Sequence, residues 1–159
     1  MNRLLVPALV ILCSWSASAE DKRAAPAETQ RAPNINETVV RYLAAWNERD
    51  PKRRRELIAR TWAEDGSYVD AHRRGVGHNA IDAMIEKAQV QFPGYQLRLV
   101  SGIEAHNGYV RFSWAAGGLE QAPLYIAGTD FATAGDDGRL KSVIGFVDAM
   151  PAPVQAARQ

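Results

Sequence analysis

The sequence has a single cysteine, Cys13, and nearly balanced charge. One cysteine cannot form a disulfide within the chain, and a thiolate metal site needs several. The 19 basic and 18 acidic residues leave no positive excess of the kind that marks nucleic-acid-binding proteins. We therefore expect a fold held by its hydrophobic core, with no nucleic-acid partner.

Long apolar runs are also scarce, and the one that is present lies at the beginning. After Met1-Asn2-Arg3 the chain is apolar from Leu4 to Trp15, and small residues follow up to Ala19. This order is typical of a secretory signal peptide, and the run falls short of the about 20 residues that span a bilayer. We predict a signal peptide over 1–19, cleavage after Ala19, export to the periplasm or the medium, and no stable membrane insertion afterwards.

Three further segments follow the predicted signal. Residues 20–33, EDKRAAPAETQRAP, contain no aromatic or branched aliphatic residue and are predicted to form a flexible linker. Residues 34–149 are predicted to form one domain, because apolar residues recur throughout that range. The Pro- and Ala-rich residues 150–159 are predicted to form a disordered tail.

The first part of the domain carries helical patterns. Apolar residues at helical spacing from Ile35 to Trp46 predict a first helix that ends before Asp50-Pro51, and those from Ile81 to Phe92 predict a third helix. Asp50 is predicted to cap a second helix with Pro51 in its first turn and Trp62 on its apolar side. Asn34, with Glu37 three residues later, predicts an N-cap of capping-box type. The basic run 52–55 is predicted to be a solvated face.

The second part of the domain carries strand patterns. A turn at 64–66 and a short strand at 67–72 are predicted between the second and third helices. Beyond these, strands are predicted over 95–105, 109–116, 124–133 and 139–148, and Asn107-Gly108 is a strong signal for a tight hairpin turn. Three helices followed by long antiparallel strands predict an α+β domain with one layer of helices on one curved sheet.

Three side chains in these elements point to chemistry. Asp70 and Asp130 lie among apolar strand residues, where a carboxylate is costly unless it is paired or protonated. Tyr42 lies in the apolar stripe of the first helix. Each has a structural alternative: Tyr42 is a core tyrosine, Asp70 accepts bonds from loop amides near 75–77, and Asp130 has a purely structural role.

The order of these elements and several short motifs resemble a known family. The motifs are NERD, WAEDGSYVD, GHNAI, FPGY, AGTDF and DGRLKSVIGFVD. Together they resemble the nuclear transport factor 2-like superfamily, in its SnoaL-like and ketosteroid isomerase-like branch. The resemblance implies a cone-shaped, barrel-like fold in which three N-terminal helices pack on a strongly curved, mostly antiparallel sheet.

The resemblance also implies roles for residues and partners. Tyr42 falls on the oxyanion-hole tyrosine of the steroid isomerases, Asp70 on their general base, and Asp130 on their protonated aspartic acid. Ile85 stands where those enzymes usually have a second tyrosine, which implies a weaker or differently built donor network behind Tyr42. A homodimer packed through the outer face of the sheet is also expected, with Tyr109, Tyr125 and Phe131 directed away from the pocket.

The predicted function is acid–base catalysis of the isomerase or cyclase type on a small apolar carbonyl compound, without a cofactor or a metal. The substrate-binding residues are predicted to be Phe112, Trp114, Tyr68 and His72. Two alternatives stay open: a binding module that uses the same pocket without turnover, and a structural protein that pairs through its sheet. A metal site at His72 is disfavoured because its spacing from His78 matches no helical or strand ligand pair.

Overall fold

The computed structural model describes residues 34–118 and 126–150. The predicted signal peptide, the linker 20–33 and residues 151–159 of the tail lie outside the described residues, as do Leu124 and Tyr125 of a predicted strand. No helix in the described part of the chain is both long and apolar enough to cross a membrane.

Within the described residues, three helices pack on one mixed sheet. The helices are α1 (Ile35–Asn47), α2 (Pro51–Thr61) and α3 (His78–Gln91). The strands are β1 (Trp62–Val69), β2 (Arg74–Val76), β3 (Tyr95–Leu99), β4 (Glu104–His106), β5 (Tyr109–Gly118), β6 (Ile126–Ala134) and β7 (Leu140–Ala149). Their order is β2-β1-β7-β6-β5-β3, with β4 paired to β5, and β1 and β7 run parallel while the other paired strands are antiparallel. The predicted α+β class and mostly antiparallel sheet are confirmed.

The helix starts follow the sequence signals. The Asn34 side chain accepts a hydrogen bond from the N–H of Asn36 at 3.1 Å, and its amide donates to Glu37 at 3.1 Å. Asp50 caps α2 by accepting from the N–H of Arg53 at 2.8 Å, with Pro51 at the first helical position. Such caps satisfy backbone donors that have no partner within the helix.

One member of the basic run contradicts the predicted solvated face. Arg54 is 2% exposed, and its Nε lies 2.6 Å from Asp82 of α3. Its guanidinium also donates to Gln89 at 3.2 Å, and Gln89 donates in turn to the carbonyl of Trp46 at 2.9 Å. A buried arginine needs such partners, and through them Arg54 fixes α3 against α1 and α2.

Two strand predictions were wrong in detail. The residues 64–66, predicted as a turn, lie within β1, whose register against β7 shifts between Trp62 and Ser67. Such an irregularity accommodates turn-type residues without ending the strand. Trp62 is the first residue of β1 rather than part of α2, and it is fully buried.

The long strand predicted over 95–105 is also interrupted. It divides into β3, which ends at Leu99, and β4, which begins at Glu104. Between them the Ser101 hydroxyl accepts a hydrogen bond from the N–H of Ser113 at 2.7 Å, in place of a backbone carbonyl. A side chain that competes for a ladder bond in this way interrupts the strand.

Candidate functional site

A cavity lies between α1, α3 and the inner face of the sheet. It holds about 630 Å³ of empty space including its open mouth, and most of its wall is apolar. Trp46 of α1, Phe92 beside α3, and Trp114, Ile126 and Val147 of the sheet contribute to that wall. Concave, mainly apolar cavities with a few polar groups are the usual form of small-molecule sites.

Asp130 lies directly behind the wall of this cavity. It belongs to β6, it is fully buried, and its carboxylate accepts two hydrogen bonds. The Tyr42 hydroxyl donates to Oδ2 at 2.5 Å, and the Trp114 indole Nε1–H donates to Oδ1 at 2.9 Å. Burial raises the pKa of Asp130 from 3.8 to about 6, although both hydrogen bonds act in the opposite direction. Asp130 is therefore a carboxyl group that exchanges its proton in the physiological range.

Two glycines make room for this arrangement. A Cβ on Gly128 would lie 2.6 Å from the Trp114 ring, so the indole crosses β6 only because residue 128 lacks a side chain. A Cβ on Gly145 would lie 2.9 Å from the Tyr68 hydroxyl and 3.0 Å from Oδ1 of Asp130. Both distances are below ordinary contact. These glycines therefore allow the polar groups to approach the strands closely.

Asp70 follows β1, in a turn that its own side chain closes. Its Oδ1 accepts from the backbone N–H groups of His72 and Arg73, each at 2.7 Å. Its Oδ2 accepts from the Tyr68 hydroxyl at 3.0 Å and lies 3.3 Å from the Arg73 guanidinium. A carboxylate offers about four lone-pair positions, so these four donors satisfy Asp70 within the protein.

The two tyrosines are neutral donors at this end of the cavity. Burial is the main cause that raises the pKa of Tyr42 well above its ordinary 10.0, and the nearby Asp130 acts in the same direction. Burial also raises the pKa of Tyr68, again with Asp130 and then Asp70 contributing. Tyr68 bonds to Asp70 and lies beside Gly145, which pairs with Asp130 in the sheet. The polar groups thus form a connected row at the base of an apolar cavity.

The structure brings most of the predicted site residues together. Tyr42, Tyr68, Asp70 and Trp114 line the cavity. The other three predicted residues are not among the lining residues in the described part of the chain. Asp130 lies behind Tyr42 and Trp114, and Phe112 packs edge-on against Tyr42 at 5.3 Å between ring centroids. His72, predicted to bind substrate, is exposed.

Several lining residues were missed by sequence reasoning, among them Trp46, Arg49 and Arg73. Trp46 of α1 contributes to the cavity wall as well as to the core. Arg49 and Arg73 line the cavity as well, and each stands in a connection next to a helix or strand end. The NERD and RRGVG motifs contain these two arginines, but the sequence alone gives no reason to place them at one opening.

Comparison with solved structures identifies the family. A candidate isomerase of the SnoaL-like family from Agrobacterium tumefaciens is 39% identical, with a TM-score of 0.67 over 72% of this chain and 97% of its own. The chain belongs to the SnoaL-like family. No family model matches this SnoaL-like protein, and no curated protein matches it.

More distant structures share the fold. A candidate SnoaL-like polyketide cyclase from Jannaschia sp. is 15% identical, with a TM-score of 0.61 over 78% of this chain and 92% of its own. An NTF2-like protein of unknown function from Exiguobacterium sp. is 17% identical, with a TM-score of 0.57 over 71% of this chain and 99% of its own. At these identities the likeness supports the cone-shaped NTF2-like fold alone.

Proposed function

We propose that this SnoaL-like protein is a cofactor-free enzyme that moves a proton next to the carbonyl group of a small apolar compound. The observation that carries the proposal is the buried Asp130 carboxyl, hydrogen-bonded to Tyr42 at 2.5 Å behind the wall of an apolar cavity. Burying a carboxyl costs free energy even when it is hydrogen-bonded, and the place of Asp130 at the base of an apolar cavity favours a chemical role.

In the proposed reaction, Asp70 is the base, Tyr42 is the oxyanion donor that faces the cavity, and Asp130 supports Tyr42 from behind the wall. Asp70 takes a proton from the carbon beside the carbonyl, and the C–H electron pair becomes the double bond of an enolate. The negative charge moves to the carbonyl oxygen, where the Tyr42 hydroxyl donates a hydrogen bond to it, and protonated Asp130, behind the cavity wall, donates in turn to the Tyr42 oxygen. Return of the proton to a different carbon gives an isomer, and the cycle balances without an added reactant.

The burial of Asp130 favours this division of roles. With a pKa of about 6, Asp130 holds a proton in about half of the molecules at pH 6 and in about a tenth at pH 7. Negative charge on a ligand oxygen beside it further favours the protonated form, because two like charges in a low-dielectric site repel. Donors fixed in such a site stabilise developing charge more than water does.

A non-catalytic binding module is the second candidate function. The four donors around Asp70 favour it, because a base must have a free lone pair. For catalysis, the longest of these contacts, that to the Arg73 guanidinium at 3.3 Å, must open when the substrate binds. A binding module needs no such change.

Solvent exchange at carbon separates the two candidates. A cyclic ketone with acidic α-protons, such as 2-tetralone, is incubated with the protein in deuterium oxide, and exchange is followed by NMR. The enzyme proposal predicts protein-catalysed exchange that falls about 10²–10⁴-fold in Asp70→Asn. Asp65→Asn is the matched control, since Asp65 is an exposed residue of β1.

The outcomes of this experiment are distinct. Exchange that survives in Asp65→Asn but not in Asp70→Asn supports an enzyme. Binding of 2-tetralone to the wild type without any exchange above the solvent rate favours the binding module.

We also propose that the protein forms a homodimer through the outer face of the sheet. Phe131 and Ile144 are adjacent partners in β6 and β7, Val69 pairs with Ile144 from β1, and these side chains are 37–41% exposed. Phe146 extends the same face at 59% exposure. Contiguous exposed apolar residues are typical of an interface. Light scattering at micromolar concentration should give a dimer that Ile144→Asp dissociates, and a monomeric wild type would exclude it.

Export is proposed from the sequence of residues 1–19. N-terminal sequencing of protein from the periplasmic fraction should begin at Glu20, because Ala17 and Ala19 form a small-residue cleavage site. A membrane-held form that retains Cys13 would contradict this proposal.

A further inference from the structure

Arg49 and Arg73 both line the cavity, but in the described part of the chain only Arg73 is paired with a carboxylate. The Arg73 guanidinium pairs with Asp70 at 3.3 Å. In the described part of the chain, Arg49 donates to the backbone carbonyls of Gln89 at 3.2 Å and Tyr95 at 3.1 Å. No carboxylate of residues 34–118 and 126–150 forms an ion pair with Arg49. A guanidinium has five N–H donors, so three of those of Arg49 remain for a ligand.

Tyr95 adds a neutral donor to the wall of the same cavity, and its backbone carbonyl accepts a hydrogen bond from Arg49. Its hydroxyl is buried, it has no hydrogen-bond partner among the described residues, and its side chain lines the same cavity. The Tyr95 ring packs on Phe92 at 5.5 Å, and the Arg73 guanidinium lies over the Phe92 ring at 5.9 Å. A buried hydroxyl without a partner is destabilising, so a ligand acceptor at this place would be favoured.

Trp46 provides a second buried donor of the same kind. It is 8% exposed and lines the cavity; its Nε1–H makes no hydrogen bond of good geometry in the described part of the chain, although it lies near enough to the Tyr42 hydroxyl to lower the pKa of that group slightly against the effect of burial. The polar groups of this cavity wall that lack a hydrogen-bond partner are therefore hydrogen-bond donors. A ligand rich in acceptor oxygens fits them, whereas a pure hydrocarbon leaves them unpaired.

The charge of the lining points to one negative charge. Among the residues that the structure describes, the charged ones that line the cavity are Arg49, Arg73 and Asp70, and the last two neutralise each other. With Asp130 protonated behind the wall, as the proposed function requires, one positive charge remains at Arg49. A carboxylate matches this single charge and the planar fork of a guanidinium, whereas a phosphate monoester brings nearly two negative charges.

We propose that the ligand of this cavity is an apolar ring compound that carries a carboxylate, bound by Arg49 and the Tyr95 hydroxyl. The proposal rests on the proposed function, because it assigns the carbonyl end of the same ligand to Tyr42 and Asp130. Tyr42 and Asp130 are buried, while Arg49 is exposed. The carboxylate would therefore lie at the open end of the cavity and the reacting carbonyl at the closed end.

The test compares two probes that differ in one charge. 6-Hydroxy-2-naphthoic acid and its methyl ester are titrated by fluorescence and calorimetry at about pH 6.5, where a carboxylic acid with a pKa near 4 is ionised. The wild type should bind the acid about 10-fold more tightly than the ester, since hydrogen bonds to charged groups are the stronger ones. Arg49→Gln should remove this preference and Arg49→Lys should restore part of it.

Two further variants make the test specific. Tyr95→Phe should weaken binding of the acid about 3- to 10-fold, in keeping with the loss of one hydrogen bond. Arg98→Gln is the matched control, because Arg98 is an exposed cation of β3 that does not line the cavity. It should leave both affinities unchanged.

The possible results either support or overturn the inference. Equal affinities of the wild type for acid and ester overturn it and leave the proposed function standing, because the ester still binds. An equal loss of acid binding in Arg49→Gln and Arg98→Gln also overturns it, since the effect is then one of general surface charge. Failure of both probes to bind overturns the inference and the proposed function together.

Discussion

Asp70 and Asp130 differ in how far along the chain their hydrogen-bond donors lie. All four donors to Asp70 come from residues two or three positions away, in β1 and the turn that follows it. The donors to Asp130 come from Tyr42, 88 positions away, and Trp114, 16 positions away. Local sequence is enough to hold Asp70, whereas the whole fold must form before Asp130 has any partner.

This difference has consequences for chemistry. The lone pairs of the Asp70 carboxylate are occupied by donors close to it in sequence, and Asp70 lines the cavity. Asp130 is fully buried, and its pKa is raised to about 6. A carboxyl that depends on tertiary structure in this way should respond strongly to mutation and to pH. The following predictions test that contrast, beginning with the largest effect.

Replacing Asp130 by leucine should be the most damaging change. Asp130→Leu leaves the Tyr42 hydroxyl and the Trp114 N–H buried without an acceptor, at about 1–3 kcal/mol each. We expect a loss of about 4 kcal/mol in the free energy of unfolding, measured by urea denaturation. Asp130→Asn keeps one acceptor oxygen and should lose less. If Asp130→Leu were as stable as the wild type, the buried network would contribute nothing.

The pH dependence of stability should reveal Asp130 next. Because burial raises its pKa from 3.8 to about 6, the folded protein binds more protons than the unfolded chain between these values. The contribution of Asp130 to stability is therefore complete below about pH 4 and declines by about 3 kcal/mol as the pH rises through about 6. The difference in unfolding free energy between wild type and Asp130→Asn, measured from pH 4 to 7, isolates this decline.

The Asp70→Asn variant is the control for the pH experiment. It retains Asp130, so the decline between about pH 4 and about pH 6 should remain. A decline of the same size in Asp130→Asn would assign the effect to another group.

Gly145 lies between the two aspartates, so its replacement should disturb both. A Cβ at this position would lie 3.0 Å from Asp130 Oδ1 and 3.3 Å from Asp70 Cβ. We expect Gly145→Ala to lower the free energy of unfolding by about 1–3 kcal/mol, as overpacking usually does. Gly102→Ala is the matched control, because a Cβ there meets no atom within 4 Å. Equal stability of the two variants would show that the sheet adjusts freely at Gly145.

The same contrast explains how far the sequence could predict the structure. Helix starts at Asn34 and Asp50 were predicted correctly, because a cap depends on residues one to three positions away. The turn proposed at 64–66 was wrong, because the register of β1 against β7 is decided by residues far along the chain. Arg54 was placed in solvent for the same reason, since its partner Asp82 belongs to another helix.

The candidate site, too, could be predicted from the sequence only in part. A buried role for Asp130 could be predicted from its apolar strand neighbours, and the family resemblance added Tyr42 and Asp70. The hydrogen bond from Trp114 to Asp130 could not be predicted, because it depends on the missing side chain of Gly128 in the next strand. Arg49 and Arg73 meet at one cavity only after α1, the β1–β2 turn and β3 have packed together.

Titration of 2-naphthol tests whether the Tyr42 hydroxyl, with Asp130 behind it, holds a ligand oxygen. The probe presents a phenol oxygen resembling that of an enolate, and binding is followed by fluorescence and calorimetry in wild type, Tyr42→Phe and Asp70→Asn. Our account predicts that Tyr42→Phe weakens binding by about 1–3 kcal/mol, since the ring stays and the donor is lost, while Asp70→Asn binds at least as tightly as the wild type. Equal affinity of wild type and Tyr42→Phe, with 2-naphthol located in the cavity by crystallography, would contradict the account and return Tyr42 to a packing role.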